Sequence, residues 1–255
     1  MPLINYIGNR QECLDSNRRG RGGAPPAPSM SIDYLIVGGG TSGGNNPGNG
    51  GCAGGFLSAS AQIAFPSTLT ISVGAGATNS SQEGIGSSSI SASNFGYYFA
   101  GAGTFNQSGY PQNNTVGLSN ATTFGGGAGA LQNGQDAVPP TAFDLGLNGY
   151  GGDGLQWLNG TYYAGGGGAT SGNGAAPGVG GLGGGGSNTA NGEDGKGGGA
   201  GGSGTIGGSG AVIIRYLTNS ISASFISAIQ GGQVTVTGSY TYHTFTSSAE
   251  FTYKY

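Results

Sequence analysis

Hydrophobic residues fall in short runs along this chain, separated by long stretches dominated by glycine. Ile32–Val37 is an apolar run of strand length, the pattern of a buried strand. Leu69-Thr70-Ile71-Ser72-Val73 alternates apolar and polar, as a half-buried strand does. Ala211-Val212-Ile213-Ile214-Arg215-Tyr216 predicts a third strand. Further on, Gln233–Thr237 and Thr241–Thr246 alternate, Ser247-Ser248-Ala249-Glu250 reads as a turn, and Phe251–Tyr255 alternates again. That last series predicts a β-hairpin ending at the chain terminus.

Between these runs the pattern has neither a helical nor a strand period. From residue 146 to 210, 30 of 65 residues are glycine, with Ala, Ser and Asn filling the gaps. Each glycine costs about 1 kcal/mol in a helix, and glycine gives a strand no side chain to pack. The conformation that accepts such a sequence is polyglycine II, a threefold left-handed helix without internal hydrogen bonds. Its N–H and C=O groups point sideways and, when buried, must pair with neighbouring segments. The expected fold is therefore all-β: short strands with packed polyglycine-II-like segments, plus a C-terminal β-hairpin. Three regions follow: an extended arm over 1–31, a glycine-rich β domain over 32–217 and a hairpin unit over 218–255.

Composition narrows the class. Glycine is 61 of 255 residues, about three times the ordinary share. Charged residues are 7%, apolar residues 35%, and the net charge is −3. Disorder calls for low hydrophobicity and high net charge, so the glycine is expected to be packed. Collagen is excluded, because glycine does not recur at every third position. Cys13 and Cys52 are too few for a disulfide framework or a zinc site and read as reduced thiols. No apolar run approaches the ~18 residues of a membrane helix. The first residues, Met1-Pro2-Leu3-Ile4, lack the basic region and apolar core of a secretion signal.

Four of the seven basic residues, Arg10, Arg18, Arg19 and Arg21, lie in the first 31 positions, followed by the stiff Ala24-Pro25-Pro26-Ala27-Pro28. Such an arm cannot bury a core of its own. It reads as a docking arm for an acidic partner surface, anchored by Leu3, Ile4, Tyr6 and Ile7; the competing reading is a solvated tail. Nucleic acid is not the expected partner, because the whole chain is acidic, with pI near 4.8.

Gly38, Gly40 and Gly43 stand in the G-x-G-x-x-G register of a dinucleotide fingerprint. The context fails: Asn45-Asn46-Pro47-Gly48 follows where the phosphate-binding helix should start, and residues 56 to 73 hold no acidic residue for a ribose. An FAD- or NAD-dependent oxidoreductase is thus a remote alternative. His243, the single histidine, has no nucleophile motif beside it and reads as structural. Asp136, Asp144, Asp153, Glu193 and Asp194 are scattered among loops. Asn191-Gly192-Glu193-Asp194-Gly195 could offer oxygen ligands to calcium, but reads as a turn with solvated charges. No catalytic, cofactor or metal site is expected. Tyr97-Tyr98-Phe99, Phe105, Tyr110, Trp157, Tyr162 and Tyr163 are aromatics among Ser, Asn and Gly, the composition of adaptable recognition surfaces. Tyr97, Tyr98, Tyr110 and Trp157 are the candidates for stacking on a host sugar; the competing reading is that they roof the glycine core.

In order, the chain shows Asp33–Gly40 (DYLIVGGG), Ile71–Gly76 (ISVGAG), Phe124–Gly129 (FGGGAG), Asp153–Gly168 (DGLQWLNGTYYAGGGG), Gly180–Gly186 (GLGGGG) and Ser209–Tyr216 (SGAVIIRY). With these landmarks over 32–217 it resembles the glycine-rich domain of tailed-bacteriophage virion proteins, often tail fibres or adhesins. The resemblance implies a non-enzymatic structural protein on the virion surface, binding a host-cell glycan as a tail fibre or tip. It also implies tail or baseplate partners met through residues 1–31 and a homo-oligomer such as a trimer. A head fibre or capsid decoration protein stabilising the shell is the alternative. One departure stands out. In the family a segment like Tyr242–Tyr253 (YHTFTSSAEFTY) usually precedes the DYLIV-like strand; here it comes last. The expectation is that it folds back, within or between chains, to pair beside Ile32–Val37.

Overall fold

The computed structural model describes residues 29–44, 48–78, 86–93, 95–104, 124–138, 146–170, 175–203, 206–220 and 229–253. Within them the chain is all-β. Its strands are β1 (Ser29–Val37), β2 (Phe56–Ala64), β3 (Ser67–Ser72), β4 (Ser88–Ala92), β5 (Gly96–Ala100), β6 (Leu155–Gln156), β7 (Tyr162–Tyr163), β8 (Ala211–Leu217), β9 (Ile229–Gln230), β10 (Gln233–Thr237), β11 (Tyr240–Phe245) and β12 (Ala249–Tyr253).

Two five-stranded antiparallel sheets form a sandwich. The first runs β10-β11-β8-β1-β2, the second β5-β4-β3-β12-β9. Alternation along each strand supplies the core between them. Ile32, Tyr34, Ile36, Val212, Ile214 and Phe245 of the first sheet meet Leu69, Ile71, Ile90, Phe251 and Tyr253 of the second. The opposite face of β1 and β8 is also covered. Leu35, Val37 and Ile213 pack against Ala53, Phe56, Ala130, Trp157 and Ala164. Burial on both faces is why Ile32–Val37 reads as a run rather than an alternation.

At one end of the sandwich the strands give way to glycine, and the layers merge. Side chains hold packed sheets about 10 Å apart. Where they vanish, the backbones close to hydrogen-bonding distance. Gly39 N–H, just past β1, donates to Gly86 O, just before β4, at 3.1 Å. Gly55 donates to Gly101 O at 2.8 Å, Gly103 to Gly39 O at 2.9 Å, and Gly210 to Gly74 O at 2.8 Å. Each bond joins the two sheets.

Beyond this junction lies a three-dimensional backbone lattice. The run 165–169 is bonded on several sides: Gly166 N to Gly152 O, Gly167 N to Gly51 O, Gly168 N to Gly186 O, and Ala169 N to Gly149 O. Its carbonyls in turn accept from Gly199, Gly181, Gly127, Gly202 and Gly178. Lateral bonding of this kind is what polyglycine-II segments require. Buried polar side chains close the irregular places. Asn148 accepts from Phe124 N–H (2.9 Å) and donates to Ala176 O (3.0 Å). Thr170 Oγ1 accepts from Gly48 N–H (2.9 Å) and donates to Gly202 O (3.0 Å).

Two expectations are corrected. Thr241–Thr246 and Phe251–Tyr255 do not form one hairpin. The hairpin is β10–β11, while β12 crosses to the other sheet and pairs with β3 and β9. Phe245 and Phe251 both point into the core, so the chain turns across the sandwich rather than back along one sheet. Residues 229–253 are therefore not a separate unit, since they complete both sheets. They do fold back within the chain, but β11 pairs with β8, one strand removed from β1.

Candidate functional site

Two surfaces gather chemistry-bearing side chains. The first is the outer face of the second sheet. Tyr97-Tyr98-Phe99 is not a loop but the edge strand β5, so its side chains alternate. Tyr98 stands opposite buried Ile90 and packs on Tyr34, with centroids 5.5 Å apart. Tyr97 and Phe99 point the other way. They are 64% and 55% exposed and stacked, with centroids 5.8 Å apart and planes 28° apart. Cross-strand pairing sets them in rows with small hydroxyl residues: Tyr97–Ser91–Thr70 and Phe99–Ser89–Ser72. The result is an aromatic step bordering a set of Ser/Thr rows in which Thr70 is exposed, Ser72 and Ser91 are half-buried and Ser89 is buried. Phe99 is the member that selection of candidates from sequence passed over. Strand alternation in GYYFA would have found it.

The second surface is the outer face of the first sheet, half covered by the β6–β7 hairpin. Trp157 is buried at 5% exposure, and its Nε1–H donates to Ser58 Oγ at 2.9 Å. It roofs the sheet instead of presenting a ring to solvent, which corrects the expectation that it stacks on a sugar. Its ring also meets Tyr242 edge-on, with centroids 6.3 Å apart, and the Arg215 guanidinium, 5.9 Å from its centroid. The row Thr235–Tyr242–Arg215–Asp33–Ser60 runs across all five strands. Arg215 Nε donates to Asp33 Oδ2 at 2.9 Å, and Ser60 Oγ donates to Asp33 Oδ1 at 2.6 Å. The guanidinium also lies over the Tyr240 ring, 4.1 Å from its centroid, a cation–π arrangement. The charged residue in AVIIRY is the sequence signal for this row, and it was read only as strand.

Tyr110 and Phe105 lie outside the described residues, as do the docking candidates Leu3, Ile4, Tyr6, Ile7, Arg10, Arg18, Arg19 and Arg21. Among the described residues no group of three His, Cys, Asp or Glu side chains could hold a metal ion. Glu193 pairs with Lys196 (2.8 Å), and Asp194 Oδ1 accepts from Ser209 N–H (2.8 Å), so this segment is a turn with engaged carboxylates. The fingerprint glycines are lattice members. Gly38 and Gly40, with Gly39 between them, donate their N–H groups to the Gly55, Gly208 and Gly86 carbonyls, and a Cβ at Gly43 would meet Gly201 O at 1.7 Å. A Cβ at Gly40 would meet Gly198 O at 2.2 Å. Those are the N–H groups a phosphate would have to engage. Cys52 is buried, and burial pushes its thiol up to about 12, far from the thiolate a nucleophile needs. No described helix is long and apolar enough to cross a membrane.

His243 is structural, as its sequence context implies. It is buried, with Nδ1–H donating to Gly231 O at 2.7 Å and Nε2 accepting from the Tyr216 hydroxyl at 3.2 Å. Both nitrogens are used by the neutral ring, and burial lowers the pKa below its ordinary value. The unfolded chain, with a histidine near 6.5, therefore binds a proton at a pH where the fold does not. Stability from this group is complete above about pH 6.5 and is lost as pH falls toward the lowered folded value. The melting temperature is expected to drop from pH 7 to 5.5, above the carboxylate range, and H243Q should flatten that drop. An unchanged slope in H243Q would assign the dependence elsewhere.

No curated protein and no solved structure matches the chain. A family model described as a glycine-rich domain matches residues 22–217, a span that holds β1 to β8 and the whole described lattice. The chain belongs to the glycine-rich domain family.

Proposed function

We propose that this protein is a non-enzymatic structural component of a tailed-phage virion surface, a tail fibre or tip that attaches to a host-cell glycan. The observation carrying the binding role is the stacked Tyr97–Phe99 step, exposed at the edge of a hydroxyl-lined sheet. Aromatic faces accept the C–H faces of sugar rings, while neighbouring hydroxyls exchange hydrogen bonds with sugar hydroxyls. The step sits on a strand of a packed sandwich, so little conformational entropy is lost on binding. The phage context rests on the ordered landmarks from DYLIVGGG to SGAVIIRY. The residues ahead of β1, 1–28 of the expected arm, are the proposed attachment to other virion proteins, and assembly as a trimer would multiply weak single-site affinity.

The test is retention of the purified protein on immobilised host surface polysaccharide. The double variant Y97A/F99A should lose at least about tenfold in affinity, about 1.4 kcal/mol, with an unchanged melting temperature because both rings are exposed. Full retention by that variant would sink the reading. Locating the chain in an intact particle by cryo-electron microscopy separates a tail fibre from a shell decoration protein.

A further inference from the structure

We propose a second ligand site, for an uncharged oligosaccharide, on the outer face of the first sheet, astride the ridge formed by Arg215 and Tyr242, themselves largely buried. It goes beyond the Tyr97–Phe99 surface, which lies on the other sheet. Two cavities, each about 180 Å³, flank the ridge. One is bordered by the polar Ser31, Asp33, Arg215, Ser220 and Tyr240, with Leu217 among the apolar residues of its wall. The other is bordered by Asn159, Thr235, Thr237, Tyr242 and Thr244. Both are far larger than one water requires.

The chemistry of the lining selects the ligand. Asp33 and Arg215 are the sole charged residues bordering either cavity, and they neutralise one another. The site offers an anion or a cation no net attraction. It does offer unused hydrogen-bonding capacity. Arg215 commits Nε to Asp33 and Nη1 to Leu158 O (3.3 Å) and Tyr242 Oη (3.4 Å), which leaves Nη2 available. The Asp33 oxygens each accept one bond and can accept another. The Thr235, Thr237 and Thr244 hydroxyls make no side-chain hydrogen bond to a described residue. A planar carboxylate beside a planar guanidinium matches the adjacent hydroxyls of a sugar ring, donor to acceptor and acceptor to donor. Hydroxyls that both donate and accept suit the same partner in the second cavity.

Position supports an oligomer over a single sugar. The first cavity lies over β1, β8 and β11 and the second over β10 and β11. Strands are about 4.8 Å apart, so the two openings are one to two strand spacings from each other. The Trp157–Gly160 turn bounds the second cavity through Asn159. It is held by Trp157 N–H to Thr161 O (2.9 Å) and Gly160 N–H to Trp157 O (2.9 Å), and it touches the ridge through Leu158 O.

The test is backbone amide NMR on the full chain, titrated with neutral tetrasaccharides of glucose, galactose, mannose and N-acetylglucosamine, with a polygalacturonate tetramer as the acidic comparison. A neutral tetramer is expected to give saturable shifts at Ser31, Asn159, Thr235, Thr237 and Tyr240. T237R, at an exposed edge-strand position, should weaken that binding at least tenfold without moving the melting temperature, and Y97A/F99A should leave it intact. Shifts confined to Tyr97–Phe99 would overturn this site and leave the proposed function standing. Preference for the acidic tetramer would overturn the charge argument and with it the proposal. So would the absence of shifts at these residues with every neutral tetramer at millimolar concentration.

Discussion

Gly167→Ala is expected to prevent folding. A Cβ at this position would lie 1.8 Å from Ala200 O and 2.4 Å from Ala200 C. Ordinary overpacking costs about 1–3 kcal/mol, because neighbouring side chains change rotamer. Here the neighbours are backbone, and backbone has no rotamers to change. Relief requires moving a whole segment. Gly167 N–H donates to Gly51 O at 2.8 Å, Gly127 N–H donates to Gly167 O at 2.7 Å, and Gly51 N–H donates to Ala200 O at 2.7 Å. A displacement that frees the methyl breaks these three bonds. Six buried groups lose their partners, each at about 1–3 kcal/mol, so the loss is about 6–18 kcal/mol against a total stability of about 5–15. Gly238 is the control. It is left-handed at φ 59°, with nothing within 4 Å of a Cβ, so G238A should cost only the conformational penalty of about 1–2 kcal/mol. Thermal unfolding followed by circular dichroism compares the two. A cooperative transition in G167A within a few degrees of G238A would refute a lattice held by backbone contact.

The same contrast explains what the sequence disclosed. Local signals were sufficient for β1, β3 and β8, because Ile32–Val37, Leu69–Val73 and Ala211–Tyr216 carry their own burial pattern. Glycine density was sufficient for the lattice, because only hydrogen at Cα lets backbones approach so closely. Partner choice was not legible. Nothing in FTSSAEF says that Phe245 and Phe251 enter one core from opposite sheets; that depends on which edges are open when the chain returns. Trp157 misled for a similar reason. Its neighbours Gln156, Leu158 and Asn159 look like an exposed loop, yet Ser58, 99 residues away, receives its indole N–H. The Asp33–Arg215 pair spans 182 residues, and no short-range pattern marks it.

Cutting the chain after Ser220 is expected to abolish cooperative folding, although the family match ends at residue 217. The cut removes β11 from beside β8 and β12 from beside β3. It strips Ile229, Phe245, Phe251 and Tyr253 from the core, at about 1.5–3 kcal/mol per buried side chain. That is about 6–12 kcal/mol, comparable to the whole stability of a domain. The loss should be repairable by position. Tyr253 pairs with Ser67 and Ser29 pairs with Ala64, so the end of β12 and the start of β1 flank the same β2–β3 turn. A gap of about 10 Å between sheets is spanned by a linker of roughly four residues. Placing residues 229–253 ahead of Ser29 through such a linker, and ending the chain at Ser220, is expected to restore a cooperative melt. Cooperative unfolding of the truncated chain would show that the tail is dispensable. Failure of the permuted chain alone would show that the tail must follow β8 in sequence, so that its covalent order, and not only its open edges, decides where it docks.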